Sequence, residues 1–169
     1  MNWSNAFLNL LDFTFYYPLV MSILWVTGAI YYYFYRERGE TALPETPPML
    51  ADTPSVSFIV PCHNEADNIA ETIASLLEQD YPEFEIIAID DASTDDTGRI
   101  LNALAHTNSK VRVIHFEVNQ GKAMGLRVGA LAAQHEILIC LDGDALLDCH
   151  ATRWLASHFV DGPRVGAVT

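Results

Sequence analysis

Two aspartates stand one residue apart in CLDGDALLD, Asp142 and Asp144, directly after the apolar run Ile137–Leu141. Like charges at the end of a buried strand repel, so the pair needs a reason. It forms a solvated turn, a phosphoryl-acceptor site, or a cradle for a divalent cation that carries a phosphate ester. The third fits a hard ion such as Mg2+, which keeps only one or two protein carboxylates beside phosphates and waters. Three further clusters carry chemistry: PCHNE (61–65), DDASTD (90–95) and NQGK (119–122). In the last, Gly121 gives a permissive backbone, and Lys122 stands where a helix is expected to begin. Both a helix N-terminus and a lysine favour a phosphate nearby, although an ordinary solvated lysine fits too. The P-loop pattern GxxxxGK[ST] is absent.

The elements around these clusters explain their places. Val56–Val60 is short, apolar and β-branched, and it ends at Pro61. Phe84–Ile89, Val111–Phe116 and Glu136–Leu141 read as further strands, and Val165–Val168 as another. Between them, Asn68–Gln79 has Ile69, Ile73, Leu76 and Leu77 at helical spacing, with Asp67 or Asn68 as N-cap. A second helix runs from a Thr94 or Asp95 cap to Leu104, a third over Gly121–Ala133 and a fourth over Ala151–Phe159. Strands alternating with such helices predict an α/β fold with a mostly parallel sheet covered on both faces. Ligands of these folds bind beyond the carboxyl ends of the strands, and each of the four clusters follows a strand.

The N-terminal part is of another kind. Phe13–Tyr35 contains no charged residue, and 23 residues at 1.5 Å each reach roughly 34 Å, enough for a hydrocarbon core of about 30 Å. Tyr16 and Tyr17 mark one end and Tyr31, Tyr32, Tyr33 and Tyr35 the other, as at membrane interfaces. Pro18 is placed in the first turns of the helix. A signal peptide wants a basic N-terminal region, and residues 1–12 hold no Lys or Arg. A buried soluble helix is the other competing reading, opposed by an apolar run that goes all the way round. Arg36 and Arg38 then put the C-terminal side in the cytoplasm and residues 1–12 outside. Residues 36–54, with four prolines from Gly39 to Pro54, read as a linker, and a soluble domain starts at Ser55.

Bulk composition narrows the partners. A formal net charge of -13 over 169 residues argues against nucleic acid and against binding anionic lipid by charge. An acidic protein handling an anionic substrate needs a cation between the two. Cys62, Cys140 and Cys149 lack CxxC spacing and read as packing or loop residues in a reducing compartment.

Taken together, PCHNE, DDASTD, NQGKA and DGDA resemble the processive family 2 glycosyltransferases of the GT-A fold. The longer run IVPCHNEADNIAETIASLLEQDYPEFEIIAIDDASTDDT, with VNQGKAMGLRVGA and CLDGDALLD, is most similar to the bacterial poly-β-1,6-N-acetylglucosamine synthases. The apolar segment ending YYYFYRER resembles the one that precedes their catalytic domain. Hyaluronan, chitin and cellulose synthases share the motifs.

The resemblance implies a Rossmann-like sheet and inverting sugar transfer from a UDP-sugar, here UDP-N-acetylglucosamine, with Mg2+ or Mn2+. It also implies a growing polysaccharide as acceptor, a cytoplasmic active site at the inner membrane, and room for a small membrane-protein subunit. By family position Asp144 is the direct metal ligand, and Asp142 faces the ribose or reaches the metal through water. Gly143 lets the backbone approach the nucleotide. Asp91 accepts a hydrogen bond from the uracil N–H, selecting uracil because an unpaired buried polar edge is costly. Pro61, His63 and Glu65 line the uridine pocket, and Lys122 faces the phosphates. Asp90 ends its strand, Asn64 shapes the turn, and Ser93 and Asp95 serve equally well as caps of the next helix.

An inverting transfer needs a general base. The family's aspartate in a TED-like motif and its QxxRW motif do not occur in this sequence. The expectation is therefore an N-terminal portion holding the donor and metal half-site, with the base beyond Thr169. Two other classes stay open. A phosphoaspartate domain also places acids at strand ends, but it wants DxD after the first strand, where this chain has PCHNE. A membrane-tethered module that senses UDP-sugar without catalysis needs only the residues present.

Overall fold

A computed structural model describes residues 3–37, 46–50, 52–161 and 165–168. The chain divides into two compact units, Met1–Leu43 and Pro44–Thr169.

The first unit is helix α1, Trp3–Tyr32, continued by a π-helical turn at Tyr33–Glu37. Within it, Asp12–Tyr35 is long and apolar enough to cross a membrane, and none of that stretch is buried against protein. The helix begins ten residues before the apolar run, so Pro18 lies in its interior rather than in the first turns. Pro18 withholds the N–H that the Thr14 carbonyl would accept, and one turn further on Ser22 back-bonds to the Pro18 carbonyl at 2.8 Å. Arg38 and most of the expected linker, residues 39–45 and 51, lie outside the described residues.

In the second unit the order is β1 (Val56–Cys62), α2 (Ile69–Leu77), β2 (Phe84–Asp90), α3 (Thr97–Thr107), β3 (Val111–His115), α4 (Lys122–Ala132), β4 (Ile137–Cys140) and α5 (Ala151–Asp161). The sheet is parallel, in the order β3-β2-β1-β4. β1 and β2 are buried along their whole length, which is why they read as unbroken apolar runs. Alternate residues separate the two faces. Val56, Phe58, Val60, Ile86 and Ala88 join Ile69, Ile73, Leu76, Leu101 and Ala156 in the main core, under α2, α3 and α5. Ile59, Ile87 and Ile89 face α4. That helix lies close because it presents glycines: a Cβ on Gly129 would fall 2.4 Å from Ile59 Cγ2.

Several element ends shift by one to three residues, and two larger departures from the sequence reading have physical reasons. β1 runs through Pro61 to Cys62, although proline lacks an N–H. The Leu141 N–H meets the Ile59 carbonyl and the Asp91 N–H meets that of Cys62, so by alternation residue 61 points toward β4. The β4 ladder has already ended at Ile59↔Cys140, and no bond is lost. Residues 165–168 form no strand. Interrupted by Gly166 and without a pairing partner, 166–168 instead line a groove of about 1610 Å³ between β4 and α5.

The order reverses between β1 and β4. In open parallel sheets such a switch point opens a crevice beyond the strand ends. PCHNE and DGDA therefore face each other across it.

Candidate functional site

The loops at the carboxyl edge are tied to one another by named bonds. His63 Nδ1 donates to the Asp91 carbonyl at 2.7 Å, which leaves Nε2 to accept from the Asn64 amide at 3.2 Å. Asn64 has φ +56 and Ala92 φ +55, a left-handed backbone that asparagine tolerates better than most residues. The Asn64 N–H donates to Ser93 Oγ, and the Thr94 N–H to Asn64 Oδ1. The Glu65 N–H donates to Thr97 Oγ1 at 2.8 Å, and that hydroxyl donates to Asp95 at 2.6 Å. Asp95 also takes the Thr97 and Ala66 N–H groups. It thus shapes the entry to α3, although the N-cap position itself belongs to Asp96, whose side chain makes no capping bond. Asn68 holds the N-cap position of α2, likewise without a side-chain capping bond.

Asp91 is only 4% exposed. Its two carboxylate oxygens accept the N–H groups of Gln120 and Gly121, each at 2.7 Å. It therefore holds the loop that starts α4, where Gly121 has φ +84. A carboxylate oxygen keeps a second lone pair, so Asp91 retains acceptor capacity toward the crevice. Asp90 is a structural hub. Burial pushes its carboxyl up, but hydrogen bonds from Ser93 and His115 outweigh that and hold it below the usual range. His115 Nδ1 stands 2.9 Å from it, and a Cβ on Gly98 would fall 2.7 Å from its Oδ2.

Across the switch point, Lys122 forms an ion pair with Asp142. Gly143 is buried, and a Cβ there would fall 2.8 Å from Cys62 Cβ and 3.3 Å from Glu65 Cγ. A side chain would push the turn away from β1, so close approach explains the glycine. Beneath it, burial and then the surrounding carboxylates, Asp90 foremost, push the Cys62 thiol up to about 12. Cys62 is therefore an inert packing group. Pro61 is buried under α4, 3.0 Å from where a Gly125 Cβ would sit.

The contacts close a ring: His63 to Asp91, Asp91 to Gly121, its neighbour Lys122 to Asp142, and Gly143 back to Glu65. Asn64, Asp90 and Asp144 each lie one position from it, Ser93 and Asp95 brace it from the entry to α3, and Pro61 supports it from below. The ring also shows members without motif status. Thr72 on α2 donates to the Gly143 carbonyl at 2.9 Å, and Thr97 holds Glu65. Thr72 had a sequence signal: Thr72, Ser75 and Gln79 repeat at helical spacing beside the apolar stripe. Thr97 had none beyond a threonine near a helix start.

The exposed carboxylates suit one kind of cation. Asp142 and Asp144 offer hard oxygens to solvent, and Asp144 makes no hydrogen bond or ion pair among the described residues. Among those residues no three His, Cys, Asp or Glu side chains converge on one point. The pair therefore fits an ion that brings phosphate and water as its remaining ligands, as Mg2+ or Mn2+ does, and does not fit a closed all-protein cage.

Comparison with known proteins agrees. Residues 57–169 match the family model for glycosyl transferase family 2. A poly-beta-1,6-N-acetyl-D-glucosamine synthase of Staphylococcus epidermidis is 35% identical over 162 residues, which are 96% of this chain and 39% of that protein. One from Staphylococcus aureus is 33% identical over 158 residues, covering 94% and 38%. The chain thus spans about two-fifths of the length of these relatives. Among solved structures, S. aureus TarS 1-349 in complex with UDP superposes with a TM-score of 0.57 at 31% identity, over 63% of this chain and 32% of that one. Mannosyltransferase PcManGT from Pyrobaculum calidifontis, in complex with GDP-Man and Mn2+, gives 0.62 at 29% identity, over 82% and 43%. Parallel sheet, switch-point crevice and sequence converge: the chain belongs to glycosyl transferase family 2.

Proposed function

We propose that this chain carries the donor side of an inverting hexosyltransferase that passes N-acetylglucosamine from UDP-N-acetylglucosamine to a growing β-linked polysaccharide. The observation that carries the reading is the ring of contacts joining His63, Glu65, Asp91, Lys122 and the DGD turn around one crevice. In this reading Asp91 takes the uracil N–H, Pro61 and His63 line the uridine pocket, Glu65 contacts the nucleotide, Asp142 faces the ribose, and Gly143 lets the backbone approach. Asp144, with Asp142, would hold Mg2+ or Mn2+, which when bound neutralises the charge that develops on the diphosphate leaving group. Lys122 reaches Asp142 across the same space and is placed to meet a phosphate as it leaves that carboxylate. The choice of sugar is supported by the relatives' names and by TarS, also solved in complex with UDP-GlcNAc. No residue assigned here serves as the acceptor-side base.

The apolar helix α1 anchors the chain in the cytoplasmic membrane. Arg36 and Arg38 orient it with residues 1–12 outside and the family 2 domain in the cytoplasm. Calorimetric titration of the detergent-solubilised chain with UDP, UDP-N-acetylglucosamine, UDP-glucose and GDP, each with Mn2+ or EDTA, tests the site. Binding should require uridine and tighten with Mn2+. Equal affinity for GDP, or no response to Mn2+, sinks the assignment. Preference for UDP-glucose would move the chain to another class of polysaccharide synthase.

A further inference from the structure

Helix α2 has two buried stripes. The apolar one, Ile69, Ile73 and Leu76, faces the sheet. The polar one, Thr72 and the half-buried Ser75 with Gln79 two residues past the helix end, recurs at similar spacing, with Thr72 only 1% and Gln79 only 6% exposed. All three of its members bond the segment that follows β4. Gln79 Nε2 donates to the Asp148 carbonyl at 2.7 Å, and its Oε1 accepts from the Thr152 N–H and hydroxyl. Ser75 Oγ accepts from the Leu147 N–H at 3.4 Å. Thr72 Oγ1 donates to the Gly143 carbonyl at 2.9 Å. Buried hydroxyls and amides are costly unless paired, and here the pairs are concentrated on the loop after β4 and the first turn of α5.

The Thr72 bond differs in where it ends. Gly143 lies between the two aspartates, and its carbonyl belongs to the peptide that leads into Asp144. On one side Cys62 and Glu65 occupy the space that a side chain on its Cα would need. On the other Thr72 holds its oxygen. With both sides held, that peptide plane has little freedom to rotate, and it places the Asp144 N and Cα from which the side chain departs.

We propose that Thr72 is a positioning residue for the cation-facing turn: its hydroxyl orients the Gly143–Asp144 peptide and so aims the Asp144 carboxylate into the crevice. This rests on the donor-site reading given above. Thr72 touches neither nucleotide nor metal, and its effect passes through the turn alone.

The test compares the detergent-solubilised chain with Thr72→Val, which keeps the shape and removes the donor, and Thr72→Ser, which keeps the donor. Free Mn2+ is followed by electron paramagnetic resonance at saturating UDP, and UDP affinity is measured separately in EDTA. Thr72→Val should weaken Mn2+ uptake about tenfold, as expected when one buried acceptor loses its partner. Its metal-free UDP affinity should stay within about twofold, and Thr72→Ser should return Mn2+ uptake to near the parent value. A purely structural role would lower both affinities together in step with the melting temperature, and that result overturns the proposal. So does a Thr72→Val chain that takes up Mn2+ like the parent. Should the valine chain fail to fold, Thr72→Ala is read the same way. A parent chain that takes up no Mn2+ with UDP overturns the donor-site reading, and the role of Thr72 with it. The two failures thus appear in different proteins.

Discussion

The two ends of the sheet treat negative charge in opposite ways. At the amino end Glu85 is 7% exposed on the α4 face. The Ser57 hydroxyl, the Gln134 N–H and the Arg112 guanidinium each donate to it at 2.7 Å. Arg112 also donates to the Ala132 carbonyl, and the His135 N–H reaches Ser57 Oγ. Three strands and the α4–β4 connection are fastened through one carboxylate. At the carboxyl end Asp142 and Asp144 stand in solvent, with Lys122 their one ion-pair partner among the described residues. At the same end Asp90 and Asp91 are as buried as Glu85 and each organises a loop, Asp90 filled by Ser93 and His115, Asp91 clamping Gln120 and Gly121 with acceptor capacity to spare. A carboxylate whose acceptor sites are filled by its own chain is part of the scaffold. One left open at the switch point is available to a ligand.

If that contrast holds, stability and binding should separate by position. The largest effect belongs to Glu85→Ala, which leaves a guanidinium, a hydroxyl and an N–H without their acceptor. Because the Arg112 side chain is 42% exposed and water can replace part of the pairing, we expect a loss of about 2–4 kcal/mol in denaturant unfolding rather than the larger cost of a fully buried pair. Asp142→Ala should change stability by less than about 0.5 kcal/mol. Equal losses would erase the distinction. Asp91→Asn comes next. It turns one acceptor into a donor facing the Gly121 or Gln120 N–H, so we expect about 1–3 kcal/mol of destabilisation together with weaker uridine binding. Asp91 should thus register in both measurements. Asp144→Asn should register in one: Mn2+-assisted UDP affinity falls about tenfold or more while the melting temperature stays put. A drop in melting temperature there would move Asp144 to the scaffold.

The sequence shows these ends unequally. The α/β alternation, the parallel order of events and the four clusters were legible because period and chemistry are local: VSFIV and FEIIAI are buried on both faces, and DGDA and PCHNE follow their strands directly. The Glu85 cluster was not legible. A lone glutamate in an apolar strand identifies no partner, and its ligands come from positions 28, 27 and 49 residues away. The Asp91 clamp was half legible: the aspartate stood out, but its partners are backbone N–H groups, which no residue type announces. Val165–Val168 misled because β-branched residues mark a strand only where a neighbouring ladder receives them. Pro61 misled in the opposite sense, since a proline at the end of a strand forbids pairing on one side only.

The smallest effect concerns protons, and it tests whether the filled carboxylates belong to the fold. Burial pushes Glu85 up, but the Gln134 N–H, the Ser57 hydroxyl and Arg112 outweigh it, so its carboxyl titrates below the ordinary range. Asp90 does the same through Ser93 and His115. A carboxyl depressed in the folded state takes up its proton first in the unfolded chain. Its contribution is therefore complete above the ordinary carboxylate values, roughly 4, and is lost as pH falls through the lower folded value. Unfolding free energy measured from pH 7 down to pH 3 should decline at the acid end. Glu85→Gln should start lower at pH 7 and decline less steeply, since one of the groups that links protons to folding has gone. If the Glu85→Gln limb instead runs parallel to the parent's, the buried carboxylate is not titrating with the fold, and the contrast between the two ends of the sheet rests on geometry alone.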